Sequence, residues 1–407
     1  MARALGQRGD GRFSRAVAAR ILCAMSEATL REKLLPQARR IVVKLGTQVL
    51  TRDDGTGLDR EYIDAMAGQI ADLIDTGIEV TLVSSGAVGA GCAELKIDKR
   101  PRDVAELQAV AAVGQHRLMT ILRDAFARRS LDVGQVLRTR SDFADRQRCV
   151  NIRNCVTHLQ RLKCVPIINE NDTVAVEELR FGDNDMLAAL ICNALRAEAM
   201  ILLTVVDGLL DDKRRRIDVV DNVLEAMRMA RDEKSKLGSG GMRSKLEAAR
   251  LVTEAGELAV IAHGRETDVL KRILAGEALG TLLVPASRKL DSRQRWIAMT
   301  KRPAGTVTID DGAVRAIEQR GKSLLASGIS GLTGRFDRGD VLLVRCPAGR
   351  EVARGLSNYS ADEIRLIMGK RSNQFAKILG RRGYDEVIHR DNLVLITPDT
   401  PSDIAGA

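Results

Sequence analysis

Between residue 40 and about residue 275 the chain alternates short apolar runs with amphipathic stretches, and few folds accept that rhythm. The apolar runs are IVVKL (41–45), EVTLVSS (79–85), VGQVLR (133–138), CVPIIN (164–169), AMILLTVV (199–206) and ELAVIA (257–262). Helical periodicity runs over 59–76, 103–129, 142–162, 184–197 and 242–255. A βαβα order of this kind predicts an α/β fold, a mostly parallel sheet sandwiched by helices. Only 2% of residues are aromatic while 45% are apolar, so Val, Ile, Leu and Ala must build the core. That composition suits strands buried on both faces.

Near residue 297 the pattern changes. KRPAG (301–305) reads as a linker or turn, and GTVTID, GDVLLVRC, REVARGL and VIHRDNLVLI read as short strands. DDGA, DRGD and PAGR are turn signals between them. The expected division is an N-terminal extension over 1–37, disordered in part, a large α/β domain over 38–296, and a small β-rich domain over 303–396. Arg3, Arg8, Arg12, Arg15 and Arg20 face only Asp10 within residues 1–24. A transit peptide has such a composition, as has a disordered or mis-started extension ahead of Met25.

The net charge is +10, with the excess at the two ends of the chain. The seven cysteines form no CxxC pair and read as reduced, buried thiols. The four histidines make no HExxH and no Cys/His cluster, so no protein metal site is expected. No apolar run reaches bilayer length, and a cytoplasmic protein without membrane contact is the expectation.

The polar segments sit where the strands end, the place where ligands of such sheets bind. IVVKLGT sets Lys44 at the end of a strand against Gly46 and Thr47. SSGAVGAG (84–91) offers Ser85 and small residues that suit either a ligand or close packing. INENDTV (168–174) places Asn169, Glu170, Asn171 and Asp172 after one strand, more polar groups than a turn needs. FGDND (181–185) adds Asp183, Asn184 and Asp185, one of them a helix cap. GSGGMRSK puts Ser239, Gly240 and Gly241 before a helix that carries Met242, Arg243, Ser244 and Lys245. A helix N-terminus with a nearby lysine attracts phosphate, although Gly/Ser runs are also flexible linkers.

In this order, VVKLGT, SSGAVGAG, LQAVAAVGQ, TRSDFADR, INENDTV, RFGDND, GSGGMRSK and VTIDDGA resemble the amino acid kinase family. The likeness runs from Arg40 to Ile396. It is nearest to the members that phosphorylate the γ-carboxylate of glutamate at the start of proline synthesis and carry a C-terminal PUA domain. The resemblance implies that Lys44 and Lys245 contact the phosphates, with Asp185 holding the two lysines in place. It implies an ATP loop over Ser239–Lys245, with Gly46, Thr204 and Val205 also on the nucleotide side, and Mg²⁺ arriving with ATP. Ser85, Asp172 and Asn184 match the positions that hold glutamate, and Asn169 assists. Gly46 and Gly86 would lend backbone N–H groups. Homo-oligomers and transient contact with glutamyl phosphate reductase are implied too, and the PUA domain brings RNA into view. One departure is Thr204-Val205, where the family has Thr-Asp; another is Leu210, where it often has an aromatic. Another member of the family, or an RNA-binding protein with a degenerate kinase domain, stands as the alternative.

Overall fold

The computed structural model describes residues 27–52, 57–143, 145–174, 184–229, 241–285, 297, 303–381 and 383–396. The described residues fall into two compact units, one within Met1–Val136, Lys163–Ala188 and Ala197–Lys289, the other within Leu137–Leu162, Ala189–Arg196 and Leu290–Ala407. Eight strands form the larger sheet: β1 (Arg40–Leu45), β2 (Glu79–Val83), β3 (Asp132–Arg138), β4 (Cys164–Glu170), β5 (Ala199–Thr204), β6 (Val219–Val220), β7 (Leu258–His263) and β8 (Thr281–Leu283). Their spatial order is β3-β4-β2-β1-β5-β7-β8-β6. β1 pairs in parallel with β2 and β5, β2 with β4, β5 with β7, and β6 with β8; only the β7–β8 pairing among those resolved is antiparallel.

β1 lies at the switch of this order. The chain passes from it to β2, on to the edge strand β3 and back inward to β4, then crosses to its other side at β5. Alternation along β1 sends Ile41, Val43 and Leu45 to one face and Val42 and Lys44 to the other. The first set packs with Val80, Leu82, Ile201, Leu203 and Val260. Ile63, Met66 and Ile70 of helix Arg60–Asp75 and Leu118, Ile121 and Phe126 of helix Val104–Ala127 cover them. Each such side chain, fully buried, contributes about 1.5–3 kcal/mol. The helix Met242–Glu254 packs on β5 and β7 and buries Leu246, Ala249 and Val252.

Small residues in SSGAVGAG and LQAVAAVGQ serve packing. A Cβ on Gly114 would stand 1.7 Å from the carbonyl oxygen of Ala87, and one on Gly91 2.0 Å from that of Val110. Helices Ala87–Glu94 and Val104–Ala127 therefore touch backbone to backbone. Gly86 is different: it caps the first of them at φ 97°, in the left-handed region.

The expected extension is structured over 27–37, as helix Glu27–Leu34 and a 3-10 turn Leu35–Gln37. Arg31, 1% exposed, is the anchor. Its Nη1 donates to the carbonyl oxygens of Leu279 (2.9 Å) and Glu277 (3.3 Å), its Nη2 to those of Gly280 (2.6 Å) and Asp218 (2.7 Å). A periodicity search cannot see an arginine that folds a segment by meeting distant carbonyls. Residues 1–26 lie outside the described residues.

The smaller sheet has the order β10-β9-β11-β12-β13, from β9 (Gly305–Ile309), β10 (Ile329–Gly334), β11 (Val341–Arg345), β12 (Glu351–Leu356) and β13 (Leu393–Leu395). β9 and β11 are parallel and the other neighbours antiparallel. Val307, Leu342, Val344, Val352, Tyr359, Ile364 and Ile388 centre its core. Two local readings need correction. DDGA starts the helix Asp311–Arg320, with Asp310 accepting from the N–H of Ala313 at 2.7 Å, rather than a turn. β10, with Gly331 and Gly334 in it, gave no strand signal. Among the six described cysteines only Cys192 and Cys346 are buried, fewer than expected.

Arg31→Met should lower the stability of the larger unit by on the order of 3 kcal/mol, because four carbonyls, that of Gly280 buried and the others partly so, lose a charged donor. Urea unfolding followed by circular dichroism reads this as a lower midpoint; an unchanged midpoint would remove Arg31 as the anchor.

Candidate active site

Four strand ends and two helix starts converge. Lys44 is the next-to-last residue of β1, in register with Val83 and Leu202. Ser84 and Ser85 follow β2, Asn169 lies near the end of β4, and Thr204 ends β5. Asn184 and Asp185 open helix Asn184–Leu195, and Lys245 lies in the first turn of helix Met242–Glu254.

Asp185 is fully buried, with Lys44 and Lys245 6% and 7% exposed beside it. Its Oδ1 lies 2.5 Å from Lys44 Nζ and its Oδ2 3.0 Å from Lys245 Nζ. Ser244 Oγ donates to the same Oδ2 at 3.3 Å. Burial, the largest single influence, pushes the Asp185 carboxyl up; the charges of Lys44 and Lys245 and their hydrogen bonds outweigh it and hold it at about 2. The carboxylate is therefore ionised at any physiological pH. Two ammonium groups thus share one carboxylate in a place shielded from water, where charge acts most strongly.

A second group, of neutral amides and hydroxyls, adjoins it through Asn184. The Asn184 Nδ2 donates to Ser84 O (2.8 Å), Ser85 Oγ (2.9 Å) and Asn169 Oδ1 (2.9 Å). Asn169 Nδ2 donates to Gln115 Oε1 at 2.7 Å, and Asn169 Oδ1 also accepts from the backbone N–H of Glu170 at 2.9 Å. Because Asn184 and Asp185 are adjacent, one helix start fixes both groups.

The structure thus brings together Lys44, Lys245, Asp185, Ser85, Asn184 and Asn169. Asp172 follows β4 in a turn, half-buried. Met242, Arg243 and Ser244 form the first turn with Lys245, and Arg243 pairs outward with Glu247 at 3.1 Å. Gly241 has φ −74°, a backbone any residue adopts. Val205 is 39% exposed, just past Thr204. Ser239 and Gly240 lie outside the described residues, as does Asp183. Gly46 needs a correction as an N–H donor: its N–H is given to Leu203 O at 3.2 Å, continuing the β1–β5 pairing. Its use is steric, since a Cβ there would lie 3.3 Å from that oxygen and 3.8 Å from Lys44 Nζ.

Gln115 is the member that sequence reading missed. It stood inside LQAVAAVGQ, and its position after Gly114 on a helix lined by alanines was its only sign.

Among the described residues no group of three His, Cys, Asp or Glu is placed to hold a metal, and no helix is long and apolar enough to cross a membrane. Comparison with known proteins agrees with the geometry. Residues 39–263 match the amino acid kinase family and residues 305–379 the PUA domain. Glutamate 5-kinase from Citrifermentans bemidjiense is 44% identical over 376 residues, spanning 90% of this chain and 100% of the relative. Glutamate 5-kinases from Paraburkholderia phytofirmans and Chromohalobacter salexigens are each 45% identical, over 89% of this chain and 99% and 97% of their own lengths. With a buried lysine–aspartate–lysine cluster at the ends of a parallel sheet and this likeness over nine-tenths of its length, the chain belongs to the amino acid kinase family and carries a PUA domain.

Proposed function

We propose that this chain transfers the γ-phosphoryl group of ATP to the γ-carboxylate of L-glutamate, giving L-glutamyl 5-phosphate and ADP, the first step of proline biosynthesis. The observation that carries this reading is the Lys44–Asp185–Lys245 cluster set beside the amide group of Ser85, Asn169 and Asn184. A carboxylate oxygen of glutamate attacks the γ-phosphorus as the bond to the β-phosphate oxygen breaks and ADP leaves. The attacking group is already ionised at neutral pH, so no side chain has to remove a proton. Catalysis then consists of alignment and of neutralising charge on the phosphoryl oxygens.

Lys44 and Lys245 supply that neutralisation, reinforced by the start of helix Met242–Glu254. Asp185 keeps the two ammonium groups apart and aimed, at a fixed spacing. Ser85, Asp172, Asn169 and Asn184 hold the amino acid. Thr204, Val205 and the segment Ser239–Lys245 hold the nucleotide. Mg²⁺ fits here as an ion carried on the ATP phosphates, because both Asp185 oxygens are taken by lysines; it supplies further neutralisation. The catalytic domain spans residues 38–296 and the PUA domain 303–396. A homo-oligomer in the cytoplasm, a brief contact with glutamyl phosphate reductase and RNA contact through the PUA domain belong to the same proposal.

The direct test is ADP release with L-glutamate, set against N-acetylglutamate, aspartate, UMP and carbamate. Turnover of another of these in place of L-glutamate would move the chain to another branch of the family.

Lys245→Ala and Lys44→Ala should each lower kcat by about 100- to 1,000-fold, roughly 3–4 kcal/mol of lost charge stabilisation. Their effect on the glutamate KM should be much smaller; near-normal kcat in either variant would end that lysine's role. Asp172→Ala should raise the glutamate KM strongly and spare the ATP KM, since a carboxylate pairs with the substrate ammonium and repels phosphates. Loss of ATP binding instead would mean that the two pockets are interchanged.

Asp185→Asn should abolish activity and destabilise the larger unit by about 3–5 kcal/mol, because two buried lysines lose their counter-charge. The Asp185 carboxyl sits at about 2 in the folded chain against an ordinary 3.8. Its contribution is therefore fully present above about pH 4 and is lost as pH falls through about 2. The stability gap between wild type and Asp185→Asn should be constant from pH 7 to 4 and narrow by about 2 kcal/mol toward pH 2. A gap that closed near neutrality would contradict the depressed value.

A further inference from the structure

The amides around Asn169 run in one direction only. The N–H of Glu170 can only donate, so the Asn169 atom 2.9 Å from it is the oxygen and the other is the NH₂. That NH₂ lies 2.7 Å from Gln115, so the Gln115 atom facing it is the oxygen. At the other end the carbonyl of Ser84 can only accept, which assigns the Asn184 nitrogen in the same way. Two atoms are left over by this logic. Gln115 Nε2, a donor, and Asn184 Oδ1, an acceptor, are both buried without a hydrogen-bond partner among the described residues. Buried polar groups are rarely left unmet, and these two amide atoms belong to one network and are opposite in kind. An α-amino acid carries the opposite pair, an ammonium that donates and a carboxylate that accepts.

We propose that Gln115 is a binding residue of the amino-acid subsite: its Nε2 donates to the α-carboxylate of the substrate while Asn184 Oδ1 accepts from the α-ammonium. This rests on the glutamate reading above and adds to it the group that recognises the α-carboxylate. Gln115 also anchors Asn169 through its oxygen, so one side chain both reads the substrate and fixes the direction of the amides next to it.

The test is calorimetric binding of three ligands: L-glutamate, glutarate, which lacks the ammonium, and 4-aminobutyrate, which lacks the α-carboxylate. Gln115→Leu should weaken L-glutamate and glutarate about tenfold and leave 4-aminobutyrate within about twofold. Gln115→Glu keeps an acceptor for Asn169 and replaces the donor by a negative charge. It should weaken L-glutamate and glutarate further, again sparing 4-aminobutyrate, and it carries the test should Gln115→Leu fail to fold. Equal weakening of all three ligands, or wild-type glutamate affinity in Gln115→Glu, would show that Gln115 only props Asn169 and would overturn the proposal. Binding of L-glutamate by the wild type without phosphoryl transfer would sink the kinase reading alone, because these binding differences remain measurable.

Discussion

A carboxylate held between two lysines in a buried place is costly to assemble, and the larger unit is organised around that cost. Asp185, Lys44 and Lys245 come from three elements distant in sequence, a helix start, a strand end and another helix start. Each charge loses hydration on burial, and their mutual attraction repays it only when geometry is tight. β1 supplies that tightness for Lys44, because it is paired on both sides, with β2 and with β5. Burial of Leu246, Ala249 and Val252 does the same for the helix that carries Lys245. Hydrophobic packing therefore sets the distances on which the electrostatics depend.

The switch of strand order explains why the lysine cluster and the amide group meet at this spot. The passage through β2, β3 and β4 puts Ser85 and Asn169 on one side of β1, and the crossing to β5 puts Thr204 on the other. A crevice opens where the crossing directions diverge, at the carboxyl ends. Gly46 shows how closely the backbone is drawn there: its N–H is spent on Leu203, and a Cβ would stand 3.3 Å from that same carbonyl oxygen. The same glycine has two structural duties and no spare donor for a phosphate.

Much of this was legible in the sequence because parallel strands are buried on both faces. Their continuous apolar runs, such as IVVKL and AMILLTVV, mark the strands within a residue or two. The lysines and Asp185 were legible as departures from that apolarity at strand and helix ends. What stayed hidden was whatever depends on contacts between distant segments. Arg31 is one arginine among many until four carbonyls close around it. The helix Asp311–Arg320 was hidden by its own cap, since Asp310 followed by Gly312 has the letters of a turn. Gln115 sits in an alanine-rich helix, and only the β4 end reaching it reveals a purpose.

The two halves of the site obey different physics. The lysine cluster acts through charge, and it depends on tight distances and on exclusion of water. The amide group acts through direction: a carboxamide turned by half a revolution presents a donor where an acceptor was. Nothing in the charges of Lys44 or Lys245 distinguishes one carboxylate from another, so on the proposed reading selectivity belongs to the directional half. Backbone groups impose that direction, through the N–H of Glu170 and the carbonyl of Ser84. A backbone group cannot exchange donor for acceptor, and for that reason the polarity of the amides follows from the path of the chain rather than from side-chain chance.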